Sequence, residues 1–195
     1  MIKVLAGEEI KQILYSAIDD IGKEKIQTEI TSDIKSSQKY IHIIMSKCIG
    51  KLDSESNDDD DYFYGRIAAT LSEALLHFML TICTLPSERK IVIKNDLHLD
   101  LVIPSLQSLR TKPEKSIIVQ IIKEKLELNK IPQLEFLQRN HKNIWLIFGR
   151  PLSTTKYTIY YVLPNAGPYN NYSNIIIDTD NFLRETGDKS FRFIH

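Results

Sequence analysis

The sequence predicts an α/β domain, in which helices flank a mixed β-sheet and a helical extension precedes it. Apolar residues recur every three or four positions over 8–21, 34–52 and 64–85, as is typical of amphipathic helices. From residue 90 onward, β-runs follow in the order strand, strand, strand, helix, strand, with further strands appended. A chain of 195 residues can form one large domain, or one domain with an elaboration.

A run of acidic residues, 53–61 (DSESNDDDD), separates two parts of the chain. Adjacent aspartates repel one another and have nothing to bury, so the run predicts a solvated linker. A cation site or a DNA-mimicking patch is the functional alternative. We therefore place a domain boundary here, with a helical extension over 1–62 and an α/β domain over 63–195.

The formal net charge is zero, but it is unevenly distributed along the chain. Residues 1–61 hold 8 Lys and 13 Asp and Glu, a net charge of −5, which leaves +5 for residues 62–195. Any contact with nucleic acid is therefore expected in the second part. Two cysteines and the absence of a signal-peptide pattern predict a cytoplasmic protein. The most apolar window, 67–85, contains Glu73 and His77, which predicts a buried helix rather than a membrane span.

The sequence also predicts several shorter elements. Alternating residues over 26–30 predict a short strand, and Pro86 is expected to end the helix that begins at Tyr64. Pro132 fits the first turn of a helix, 143–149 and 156–163 read as strands, and Asp178 or Asp180 is expected to cap a helix that Gly187 ends.

The most informative segment is 90–123, which contains β-runs at 91–94, 97–103 and 116–123. Asn95-Asp96 predicts a tight turn between the first two runs. Strict alternation in the second run places one set of side chains on a polar face and the other on an aliphatic face. The polar set is Asp96, His98, Asp100 and Val102, and the aliphatic set is Leu97, Leu99, Leu101 and Ile103.

Asp100 lies in the middle of that strand, where an unpaired carboxylate is costly. Asp96, His98 and Asp100 together could hold a divalent cation, whereas the alternative makes Asp96 a turn residue and His98 a solvent-facing one. In the third run, Gln120 and Lys123 interrupt aliphatic residues. Lys123 could hold a nucleophilic water or stabilise phosphoryl charge, and the alternative is the first solvated residue of a strand end.

The order helix, strand, strand with Asp100, strand with Gln120 and Lys123, helix, strand resembles the PD-(D/E)XK, or restriction-endonuclease-like, superfamily over residues 64–149. In that family an aspartate and an acid-x-Lys motif bind Mg²⁺ and position the attacking water. The resemblance implies that Asp100 is a metal ligand and that Lys123, Gln120 and Glu73 occupy catalytic positions. Here a glutamine replaces the acid, three residues before the lysine instead of two, so a regular strand points them to opposite faces.

A narrower similarity, carried by LDLVIPSLQSL, KSIIVQIIK and NIWLIFG, is to the nuclease-like domain of archaeal TATA-binding-protein-interacting proteins. The nuclease fold of that domain is thought to have lost its catalytic site, and its coiled-coil C-terminal part has no counterpart here.

Together these features predict a non-enzymatic binding module with a degenerate nuclease site and no cofactor. Its expected partner is a basic or DNA-binding protein of transcription or DNA handling, or nucleic acid, with no membrane contact. Two alternatives remain: an active Mg- or Mn-dependent endonuclease on DNA or RNA, and a structural oligomerisation domain that forms a homodimer.

Overall fold

The computed structural model describes residues 7–55, 61–93, 97–149, 156–162 and 170–187, which form a six-stranded mixed sheet between two layers of helices. The helices are α1 Gly7–Ile21, α2 Lys23–Ser32, α3 Ser36–Glu55, α4 Asp61–Ile82, α5 Leu106–Thr111, α6 Ile131–Leu137 and α7 Ile175–Glu185. The strands are β1 Glu88–Ile93, β2 Leu97–Ile103, β3 Ile117–Ile122, β4 Ile144–Phe148, β5 Thr158–Tyr161 and β6 Asn170–Asn171.

The strands lie in the sheet in the same order as in the chain, from β1 to β6. β1, β2 and β3 pair antiparallel, whereas β3, β4, β5 and β6 pair parallel. Parallel neighbours need a crossover connection, and α6 supplies it between β3 and β4. The predicted helix-flanked mixed sheet is confirmed.

Both faces of the sheet are buried, each in its own hydrophobic cluster. In β3, Ile117, Val119 and Ile121 pack with α1–α4 and α7, while Ile118 and Ile122 pack with α5 and α6. Such strands read as continuous aliphatic runs, which is why β3 and β4 could be predicted to within a residue or two at each end. None of the helices in the described ranges is long and apolar enough to span a membrane.

The N-terminal helices share the core of the sheet. Ile10 and Leu14 of α1 and Ile26 of α2 belong to the same buried cluster as Leu71 of α4 and Val119 of β3. Helix α4 also runs through the position at which we placed the domain boundary, although the division at 62/63 itself stays a prediction.

One prediction in the N-terminal part is wrong, and a second is wrong at its two ends. Residues 26–30 form part of helix α2, because Ile26 and Ile30 are four residues apart and both are buried against the helical layer. The acidic run is helical at both ends, since α3 continues to Glu55 and α4 begins at Asp61. The middle of the run, residues 56–60, lies outside the described residues, as does the predicted turn at Asn95-Asp96.

Helix α4 ends through its own backbone before Pro86 is reached. Thr84 adopts a left-handed conformation with φ of 51°, and the Leu85 N–H donates to the Leu80 carbonyl at 3.0 Å. The Thr84 N–H donates to the Thr81 carbonyl at 3.2 Å, which completes a Schellman motif. The proline therefore follows a helix end that is already closed.

Helix α7 begins earlier than predicted, at Ile175, so neither Asp178 nor Asp180 caps it. The Asn171 side chain instead accepts from the Ser173 N–H at 2.9 Å and starts a short 3-10 turn that leads into the helix. Asp178 accepts a hydrogen bond from the Tyr160 hydroxyl at 2.8 Å, and Asp180 accepts one from Arg184 Nε at 2.6 Å. Both aspartates are used for tertiary or within-helix contacts.

The close contact between α4 and the end of β4 provides a test of the packing. A Cβ atom at Gly149 would lie 2.0 Å from the carbonyl oxygen of Gly65, which is backbone and cannot rotate away. We expect Gly149→Ala to lower the free energy of unfolding by about 2–3 kcal/mol, as overpacked sites do. Urea denaturation measures this change.

Gly50→Ala is the matched control, because Gly50 lies in α3 with nothing within 4 Å of its Cβ position. Alanine is the better helix former there and should stabilise the protein by about 0.5–1 kcal/mol. Equal stability of Gly149→Ala and the wild type would contradict the close approach of α4 to β4.

Candidate functional site

The candidate site lies where β2 and β3 stop pairing. The regular ladder joins residues 101–103 to residues 117–119. Beyond it, the Asp100 N–H donates to Gln120 Oε1 at 3.4 Å, and the Ile121 N–H donates to Asp100 Oδ2 at 2.8 Å. Each side chain thus accepts a hydrogen bond from the backbone of the opposite strand, in place of the missing ladder.

Strand β2 changes faces at Asp100, which corrects the strict alternation that the sequence predicted. Leu97 and Leu99 pack in the cluster under α5 and α6, whereas Leu101 and Ile103 pack with α4. Across from Asp100, Lys90 of β1 has a left-handed φ of 50° and no regular pair in the ladder. An irregular residue of this kind re-aims the side chains around it.

The sequence also offered His98 and Asp96 as candidate ligands. His98 is exposed, as its alternative reading as a solvent-facing residue predicted, and Asp96 lies outside the described residues. Asp100 is therefore the one polar residue of the described part of β2 that is directed to β3.

Lys123 follows directly after β3, on the side of α4. Its Nζ donates to Glu73 Oε2 at 2.6 Å, and the two side chains are 32% and 33% exposed. Lys123 follows the odd-numbered residues of β3, whereas the buried Gln120 belongs to the even-numbered set on the other face. The sequence thus correctly predicted opposite faces for the two residues, and the structure brings together Asp100, Glu73 and Lys123.

Burial raises the pKa of the Asp100 carboxyl to about 6. The hydrogen bond from the Ile121 N–H lowers the pKa of Asp100, the Glu73 carboxylate raises it, and the Lys123 ammonium lowers it. Desolvation outweighs the favourable contacts, so Asp100 gains a proton more readily than an ordinary aspartate. The group is electrostatically coupled to both charged members of the site.

Glu127 is a member of this site that the sequence analysis missed. Its Oε2 accepts from the Lys123 N–H at 2.6 Å and from the Glu124 N–H at 3.2 Å, and its charge also raises the pKa of Asp100. Glu124 and Glu127 form a capping box at the start of a 3-10 turn over Lys125–Lys130. Two glutamates three residues apart directly after a strand are the signal that could have indicated it.

The side chains present fit a tightly held divalent cation poorly. Ile121, a buried aliphatic residue, occupies the position two residues before Lys123. Each carboxylate near Asp100 already accepts a hydrogen bond: Asp100 from Ile121, Glu73 from Lys123, and Glu127 from two backbone N–H groups. Across the described ranges, no three His, Cys, Asp or Glu side chains are grouped so that they could hold a metal ion.

Comparison with known proteins agrees with the fold. No protein-family model matches the sequence, and no curated protein matches it. Two solved structures of the restriction endonuclease Ecl18kI do, both metal-depleted and bound to uncleaved DNA, which is modified in one. The TM-scores are 0.57 and 0.52, each at 10% identity, over 97% of this chain and 88% and 89% of the other.

The chain has a restriction-endonuclease-like fold. At 10% identity the likeness shows this fold alone. The match over 97% of the chain extends beyond residues 64–149, to which the sequence resemblance was confined. The link to TATA-binding-protein-interacting proteins and the roles of Asp100, Gln120, Lys123 and Glu73 stay predictions.

The buried Asp100 carboxyl should make stability depend on pH. Its pKa is raised from 3.8 to about 6 on folding, so its contribution is fully present below pH 3.8 and is lost as the pH rises through about 6. Asp100→Asn keeps an acceptor for the Ile121 N–H without the charge. At pH 8 we expect this variant to be more stable than the wild type by about 1–3 kcal/mol, and the difference should shrink towards pH 4. Urea denaturation of both proteins across this range measures the difference, and a difference that is no larger at pH 8 than at pH 4 would contradict the shift.

The coupling inside the site can be read from the Asp100 titration by NMR. Removing the Glu73 charge with Glu73→Gln should lower the pKa of Asp100, and removing the Lys123 charge with Lys123→Met should raise it. Glu24→Gln, on an exposed position of α2, is the control and should leave the titration unchanged. Shifts in the reverse directions would show that these charges do not act on Asp100.

Proposed function

We propose that the protein is a nuclease-fold binding module with a degenerate catalytic site, and that it serves a protein partner in transcription or DNA handling. One observation carries the proposal. In β3, the position that would supply an acid two residues before Lys123 holds the buried aliphatic Ile121. Gln120, the nearest polar residue, lies on the other face and is hydrogen-bonded to the Asp100 backbone.

The contacts within the site support a structural role for its charges. Lys123 is engaged by Glu73, and the Asp100 carboxyl replaces a ladder hydrogen bond while its pKa is raised to about 6. A metal ligand is used in its ionised form, and burial makes that form of Asp100 more costly than in an exposed aspartate. These contacts support a structural role, in which Asp100 links β2 to β3 and the Glu73–Lys123 pair links α4 to the end of β3.

The expected partner follows from the sequence similarity and from charge. The similarity to TATA-binding-protein-interacting proteins implies a transcription protein, and the acidic run over 53–61 complements a basic, DNA-binding surface. The net charge of −5 over residues 1–61 would speed the encounter with such a partner.

An active metal-dependent nuclease is the second candidate. Glu73, Lys123 and Glu127 all lie close enough to Asp100 for their charges to shift its pKa. Incubating supercoiled and single-stranded DNA, and RNA, with the protein and Mg²⁺ or Mn²⁺ separates the two candidates. We expect all substrates to stay intact. Cleavage by the wild type that Asp100→Asn abolishes would overturn the degenerate site.

The partner is tested separately. We expect purified TATA-binding protein to bind the wild type and Asp100→Asn with dissociation constants within about twofold of each other, because Asp100 lies within the fold. Isothermal titration calorimetry measures both. The absence of binding to the wild type would overturn the proposed partner. It would not support the nuclease candidate, which only cleavage would support.

A further inference from the structure

An apolar groove lies on the face of the sheet away from Lys123 and Glu73. It has a cavity volume of about 440 Å³, within the range of ligand sites. Its aliphatic lining comes from β1, from α5 and the short 3-10 turn after it, and from α6: Ile93, Leu106, Leu109, Pro113 and Leu137. This lining is continuous with the cluster that α5 and α6 cover, so it is a fixed surface of the fold.

An exposed aromatic residue stands beside this lining. Phe136 lines the groove from α6 and is 86% exposed, although its neighbour Leu134 is fully buried. An exposed phenylalanine next to an apolar groove is a feature of interaction surfaces, since contact with a partner would remove its ring from water.

Two arginines complete the groove. Arg110, in the last turn of α5, and Arg139, just after α6, both line it and are both exposed. Neither has an ion pair within the described part of the chain. Glu135, beside Phe136, is already engaged by Lys156 and Tyr157 and therefore does not neutralise them.

The elements around the groove are also basic as a group. Residues 106–115 and 131–143, which contain the lining elements other than β1, hold five Lys and Arg against two Glu, which leaves a net charge of +3. A ligand with negative charge would be attracted to this face, and the attraction would be strongest next to the two unpaired guanidinium groups.

The lining distinguishes a peptide from a nucleic acid. Six of the eight lining residues are apolar, and Phe136 is the only aromatic one among them. Nucleobases carry donors and acceptors that need partners when they are buried, and single-strand sites usually stack successive bases on several rings. Aliphatic and aromatic peptide side chains need no such partners.

We propose that this groove binds an acidic peptide segment of a protein partner. Its apolar side chains fill the aliphatic cavity beside Phe136, and its Asp or Glu residues pair with Arg110 and Arg139. The arrangement has an apolar centre and a charged rim, as protein interfaces do. The inference is independent of the degenerate site, because the groove and the Glu73–Lys123 pair lie on opposite faces of the sheet.

A displayed library of short random peptides, selected on the full chain, tests the groove without a guessed sequence. We expect the enriched peptides to combine Asp or Glu with Leu, Ile, Phe or Trp. Synthetic, fluorescein-labelled copies then give dissociation constants by anisotropy. Arg110→Glu with Arg139→Glu should raise the constant by at least about tenfold, and added salt should also raise it. Phe136→Ala should raise it by about fivefold or more.

Matched controls lie on the helical side of the protein. Tyr15→Ala removes an aromatic residue that is 57% exposed, and Lys23→Glu with Lys35→Glu reverses two exposed charges. Both should leave the dissociation constant within about twofold of the wild type. Circular dichroism melts check that every variant folds. We expect all of them to fold, because the substituted side chains are exposed.

Several outcomes would overturn the proposal. One is a selection that enriches no peptide, or only peptides without acidic residues. Another is that the groove variants bind the peptides as tightly as the wild type does. A third is that an oligo(dT) strand displaces the peptides and binds the groove variants more weakly than the wild type. That result would make the groove a nucleic-acid site.

Discussion

Two hydrogen bonds between Asp100 and β3 hold the sheet together where its antiparallel half meets its parallel half. β2 pairs with β3 over three residues only, and the N–H groups beyond would be left in a buried environment without partners. The Asp100 carboxyl and the Gln120 amide accept those two donors. Because these two hydrogen bonds replace the regular ladder, the side chains of β2 can change faces at Asp100. β2 thereby supplies apolar residues to both layers, so the packing of each layer depends on the two hydrogen bonds.

This constraint also explains why an acid occupies the middle of an aliphatic strand. Burial raises the pKa of Asp100 to about 6, so the charged form opposes folding while the hydrogen bond from Ile121 offsets part of the penalty. The Glu73–Lys123 pair stands next to it, one end on α4 and one on β3. The same side chains that resemble a hydrolytic site thus act as tertiary contacts, and burial makes the ionised form of Asp100 more costly than in an exposed aspartate.

The two faces of the sheet differ in how their charges are satisfied. On the side of α4, the charged groups near the end of β3 accept or donate hydrogen bonds within the fold. On the side of α6, Arg110 and Arg139 border an apolar groove beside the exposed ring of Phe136. The charged groups on the side of α4 are therefore engaged within the fold, whereas the two arginines have no ion pair among the described residues.

The sequence by itself determined the fold class, the positions of β2 to β5 to within about two residues and the opposite faces of Gln120 and Lys123, because aliphatic runs and a period of two are local properties of the chain. It could not separate helix from strand over 26–30, where isoleucines four residues apart satisfy both periods and only packing against α3 and α4 selects the helix. The reversal of β2 at Asp100, the proximity of Glu127 to that carboxyl and the exposure of Phe136 were decided by tertiary structure. Each depends on which segments, distant in the chain, lie against one another, and no local pattern contains that information.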